Sequence, residues 1–146
     1  MNLYPLLHRH LVDHYPLSYQ EGDHDCLLFV LQWIDRVSCT DFHYRYHRQY
    51  TTKFQGLAKF APAGVPPLFF ETLPQHLWSR ITCPDLGSPS ADAALPVGSI
   101  GFTARNGTPV IWDGGAGITL IPGTPGRMHI HPSALLPEFL SPPQGS

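Results

Sequence analysis

Cys26 is the residue of this chain best placed to do chemistry. It follows Asp25 and opens a segment in which Leu27, Val30, Leu31 and Ile34 recur at the i, i+3, i+4, i+7 spacing of one helix face. Leu28, Phe29 and Trp33 widen that face, so the spacing predicts a buried helix. Asp25 is a good N-cap, because its carboxylate can accept from the first free amides. A cysteine in the first turn meets those amides and the positive end of the helix dipole, which favour a thiolate. Cysteine hydrolases keep their nucleophile in such a place. The plainer role is a small apolar residue filling a core.

A thiolate nucleophile also needs an imidazole, as charge partner and as general acid for the leaving amine. His129 and His131 form His-x-His on an expected strand, so both would point to one face. Either is a candidate base if that strand folds back over Cys26. His24 adjoins the cysteine, but neighbours at a helix start diverge in direction, so it is expected to close the turn. His43 and His47 lie among Phe42, Tyr44, Tyr46 and Tyr50, where they could approach the cleft or stack on tyrosines. Phe42, Tyr44 and Tyr46 are expected to pack over the helices rather than form a sugar- or partner-binding patch. His8 and His10 with His129 and His131 would be raw material for a metal site, but spacing alone fixes no ligand geometry. No metal or other cofactor is expected.

The elements that must position these groups read as helices first and strands after. Leu3 to His14 reads as a helix with Leu3, Leu6, Leu7 and Leu11 on one face; Cys26 to Val37 is the second. Asp41 to Thr52 suits a strand or an irregular segment. Short helices are expected over 52–60, 68–73 and 75–81, broken by prolines. Residues 83–97 read as an exposed connection. Strands follow at 99–105, 108–113, 116–121 and 128–131, with Asn106-Gly107 a strong hairpin signal and Gly114-Gly115 the next turn. Residues 132–140 read as a short helix or turn and 141–146 as a flexible, proline-rich tail. The pattern predicts one α+β domain over 1–140, its N-terminal helices packed on a small C-terminal antiparallel β-meander.

Composition narrows the classes. The 146 residues carry a net charge near -2 and no Lys/Arg run, so nucleic-acid binding has no electrostatic footprint. No window is long and apolar enough for a membrane span, and Arg9, Asp13 and the histidines interrupt the first fifteen residues too often for a signal peptide. Three cysteines without CxxC spacing argue against a disulfide framework. Only 14% of residues are charged, which fits either a surface partly covered by neighbours in an assembly or one whose polarity comes from Pro, Ser, Thr and His instead.

A helix opening Asp-Cys, followed by a glycine-led strand, a hairpin and a meander, resembles the NlpC/P60-like branch of the papain-like cysteine peptidases. Residues 15–140 are similar to a small family of phage and prophage proteins with that fold, DUF6950. The matching residues are Gly22, His24-Asp25-Cys26, Asp41, Arg48-Gln-Tyr50-Thr and Pro96-Val-Gly98-Ser-Ile100. Two departures bear on activity. Gly98-Ser99 stands where the peptidases have Gly-Asp. Thr108-Pro109-Val110-Ile111 stands where their catalytic histidine opens the second strand. The resemblance therefore implies a virion protein of the phage tail tip, hub or baseplate, made in the host cytoplasm, with a degenerate peptidase site. Its expected partners are other tail proteins. The alternatives are an active cysteine amidase or endopeptidase that opens host peptidoglycan for DNA delivery, using Cys26 with His131 or His129, and a tail-assembly factor.

Overall fold

The computed structural model describes residues 2–52, 55, 78–122 and 126–143. The helices expected over 52–60 and 68–73, and most of that over 75–81, lie outside the described residues.

Helix α1, Tyr4–His14, carries Pro5 in its first turn, where a missing N–H costs nothing. Helix α2, Cys26–Ser38, buries eight of its thirteen residues, Cys26 among them. Its capping is as expected: the Asp25 carboxylate accepts from the Leu28 N–H at 2.9 Å. Its C-cap is Cys39, at φ 56°, a left-handed conformation that penalises any Cβ. The side chain there is exposed. Cys39→Gly is therefore expected to raise the stability by about 1 kcal/mol, read as a higher denaturation midpoint with an unchanged slope.

Residues 42–46 form a short helix, α3 (Phe42–Tyr46), rather than a strand. Asp35 on α2 supplies the missing cap. Its two oxygens accept from the Phe42 and His43 amides at 2.8 and 2.9 Å. Phe42 is buried, but Tyr44 is 84% exposed and covers nothing, contrary to expectation.

Among the described residues six antiparallel strands make one sheet: β1 (Ser79–Thr82), β2 (Ile100–Phe102), β3 (Pro109–Trp112), β4 (Gly117–Leu120), β5 (Arg127–Ile130) and β6 (Glu138–Ser141), in the order β1-β6-β2-β3-β4-β5. The four-strand meander was expected, and the α+β class with it. Two strands were not. Ser79 to Thr82, partly read as helix, pairs with β6 (Ser79 against Ser141, Thr82 against Glu138). Of the short helix or turn expected over 132–140, the structure has a 3-10 turn at Pro132–Ala134, but Glu138 onward is strand, and Ser141 ends that strand rather than beginning a tail.

Period-two alternation gives the sheet two apolar faces. Ile100, Phe102, Ile111, Ile118 and Leu120 join Leu3, Leu7 and α2 in the larger core. Val110, Trp112 and Phe139 face the other way and are covered by Leu95 and Leu135, with Ile81, Cys83, Leu86 and Ile130 at the margin. The segment 83–97 is thus no simple exposed connection; it includes helix α4, Pro89–Ala94, and Leu95 from it closes the second face. Trp33 fastens α2 to the sheet by donating its indole N–H to Gly98 O at 2.8 Å. Gly98 has φ 91°, and a Cβ there would come within 2.8 Å of the Trp33 ring, so the strand opening needs glycine. Among the described residues no helix is long and apolar enough to cross a membrane.

Candidate functional site

The turn before α2 is organised by Asp25, a fully buried carboxyl group. One oxygen takes the Leu28 amide; the other takes the Gly22 amide at 2.8 Å and the Tyr50 hydroxyl at 2.6 Å. Burial, and then the bond to Asp25, raise the Tyr50 phenol well above its ordinary value, so it stays a donor. Gly22 lies at φ 83°, and a Cβ on it would stand 2.1 Å from Tyr50 O. The Arg48 amide donates to Gly22 O at 2.7 Å. Asp23 accepts from His47 at 2.5 Å and from Arg48 at 3.2 Å, which holds its carboxyl below the usual range. Segments 22–26 and 47–51 are therefore clasped together directly over the start of α2.

Cys26 sits inside this clasp with 1% of its surface exposed. The sheet end it faces follows from two anchors. Trp33, two turns on, meets Gly98, whose amide bonds Trp112 O at the end of β3. His24 and Phe29 share a cleft with Leu120, at the far end of β4 from Gly117, the partner of Trp112. So α2 begins at the sheet end where Pro109 starts β3. Thr108 stands there, 7% exposed, with its hydroxyl donated to Asn106 at 2.8 Å and its amide to Thr103 at 3.0 Å. Ser99, in the other departing position, is buried and donates to Pro96 O at 2.7 Å. Both residues serve their own turns.

The candidate bases go elsewhere. His129 lies on β5 opposite Ile118, on the helix side of the sheet, with Nδ1 3.9 Å from an Asp113 oxygen. It lines a cleft against α1 together with His8. His131 is past the strand end and caps the 3-10 turn, its Nδ1 accepting from the Ser133 amide at 3.1 Å. His43 stacks on His47 at 4.8 Å rather than on a tyrosine. His24 closes the turn through its backbone, exchanging bonds with Gln20 at 2.7 and 2.9 Å, and stacks its ring on His14.

A buried row of imidazoles was not foreseen. His10 and His14 continue the stripe of Leu3 and Leu7 along α1 and are as buried as the leucines. Ring centroids stand 4.3 Å apart between His10 and His14 and 5.0 Å between His14 and His24. His10 bonds Phe29 O at 2.9 Å through Nε2, while Nδ1 of both His10 and His14 is buried without a partner. Burial, reinforced by the neighbouring ring, pulls His10 down to about 3 and His14 down to about 4. The signal was present in the 3, 7, 10, 14 spacing, masked because histidine was counted as polar. His8 and His10, read together as possible metal ligands, lie on different faces of α1, and no group of three His, Cys, Asp or Glu among the described residues is arranged to hold a metal.

What the arrangement offers chemically is a sealed thiol at a helix start, beside a carboxylate fully engaged in holding two loops. No family model, curated protein or solved structure matches the chain.

Proposed function

We propose that this is a phage virion protein of the tail tip, hub or baseplate, built on an NlpC/P60-like scaffold whose peptidase site has lost its function. The burial of Cys26 carries the loss of activity: a nucleophile with 1% of its surface exposed cannot meet an amide carbonyl without first opening the clasp around it. Thr108-Pro109 at the same end of the sheet, where the peptidases keep their histidine, supports the same reading. The resemblance supplies the viral setting, and the charge-poor composition suits a chain surrounded by other subunits.

Alkylation is the direct test. In the native protein Cys26 is expected to react with iodoacetamide slower than exposed Cys39 by roughly two orders of magnitude or more, since its reaction waits on local opening. Peptide mass spectrometry reads both sites in one sample. Rapid alkylation of Cys26, with murein hydrolysis abolished by Cys26→Ala, would establish the amidase instead. For the setting, purified particles should contain the chain at fixed stoichiometry; its absence would remove the structural role.

A further inference from the structure

Helix α1 stands off the sheet near β5 and leaves a cleft of about 160 Å³. Its floor is apolar, from Leu7, Leu11 and Ile118. Its rim carries His8 from the helix and Arg127 and His129 from β5, on one face of the strand two residues apart. Arg127 packs its guanidinium 5.5 Å from the Tyr15 ring centroid and makes no ion pair among the described residues. The carboxylate at the rim, Asp113, is already committed. One of its oxygens accepts from the Gly115 and Ala116 amides, both at 2.8 Å, and the other points toward His129 Nδ1 at 3.9 Å.

We propose that this cleft binds a carboxylate carried on a short aliphatic body, with Arg127 as its anchor. A planar guanidinium with unused donors matches a carboxylate as a two-pronged fork. His8 and His129 line the same cleft from the helix and from the strand and add ring nitrogens to its walls. The floor takes the aliphatic part. Charge favours the monoanion: one permanent cation faces the ligand, and the Asp113 carboxylate in the lining repels a phosphate dianion about twice as strongly as a carboxylate. Size sets the rest. At about 160 Å³ the cleft is smaller than the usual pocket for a drug-sized ligand. It therefore admits a small acid or the last residue of a peptide, which share this chemistry.

Titration of the whole protein with N-acetyl-leucine, followed by the imidazole and guanidinium NMR signals, tests the proposal. Saturable shifts at millimolar concentration are expected for His8, His129 and Arg127. Arg127→Gln should weaken binding roughly tenfold, the usual scale for one charge-assisted pair. His8→Ala, on the exposed side of α1, should weaken it several-fold without touching the sheet, and serves if Arg127→Gln fails to fold. Gly-Gly-Leu binding more tightly than N-acetyl-leucine would assign a peptide terminus; equal binding would assign the free acid. The proposal is overturned by any of three results: no saturable shift, equal binding of N-acetyl-leucinamide, or tighter binding of butyl phosphate.

Discussion

Asp25→Ala is expected to be the most damaging single substitution in the described part of the chain, lowering stability by about 3–5 kcal/mol. Three buried donors, the Gly22 and Leu28 amides and the Tyr50 hydroxyl, would lose their acceptor together. Nothing else in the turn can replace it, because the group is wholly enclosed. Against a usual total of about 5–15 kcal/mol, that is a large fraction of what holds the fold together. Tyr50→Phe removes only one donor and should cost about 1–2 kcal/mol. Urea denaturation of the two variants and the parent measures both effects. An Asp25→Ala midpoint equal to the parent's would show that the carboxylate does not hold the clasp.

Acid should unfold the protein well above the pH at which carboxylates titrate. His10 and His14 have ordinary values of 6.5 when unfolded and about 3 and 4 when folded. Below pH 6.5 the unfolded chain takes up protons that the folded one refuses, so stability is full above that pH and falls as pH drops toward 4. Each histidine contributes a slope of about 1.4 kcal/mol per pH unit once the pH is below 6.5, so the pair removes on the order of 5 kcal/mol by pH 4.5. His24 and His43, also lowered by burial, act in the same sense. Of the charges that act on this row, Arg36 opposes protonation of His10 and His14, whereas Asp13 favours it. The carboxyls held low by arginine or histidine partners, Asp13, Asp23 and Asp41, begin to matter only below their usual 3.8. Melting temperatures measured from pH 7.5 to 4.5 should fall steeply, and His14→Gln should make the fall clearly shallower. A flat profile over that range would mean that the imidazoles are not enclosed.

What could be read before the structure was what is encoded locally. Helix α2 announces itself through an unbroken apolar run behind a capping residue, and the hairpin through Asn106-Gly107. Strands β1 and β6 are four residues each and carry no distinctive run; their conformation comes from pairing with each other and with β2. Helix α3 is hidden for a similar reason, since its cap is Asp35, seven residues before Phe42 and on another helix. In the sequence Tyr50 reads only as part of an aromatic segment, and the Arg48-Gln-Tyr50-Thr run as a match to a family. Its physical task, satisfying Asp25 and gripping the 22–23 turn, exists only once the chain has folded back. The burial of His10 and His14 was legible as periodicity, but the expectation that imidazoles seek water concealed it.

The placement of β6 has a consequence for how the molecule is made. It is the latest of the described strands, yet it lies inside the sheet, between β1 and β2. As the polypeptide leaves the ribosome, β1 therefore waits without a ladder partner, and Val110 and Trp112 wait without Phe139 to cover them. Such long-range closure is slow and leaves sticky surface open in the interval. The apolar groups on that face stay uncovered until β6 has been made and threaded between its two neighbours.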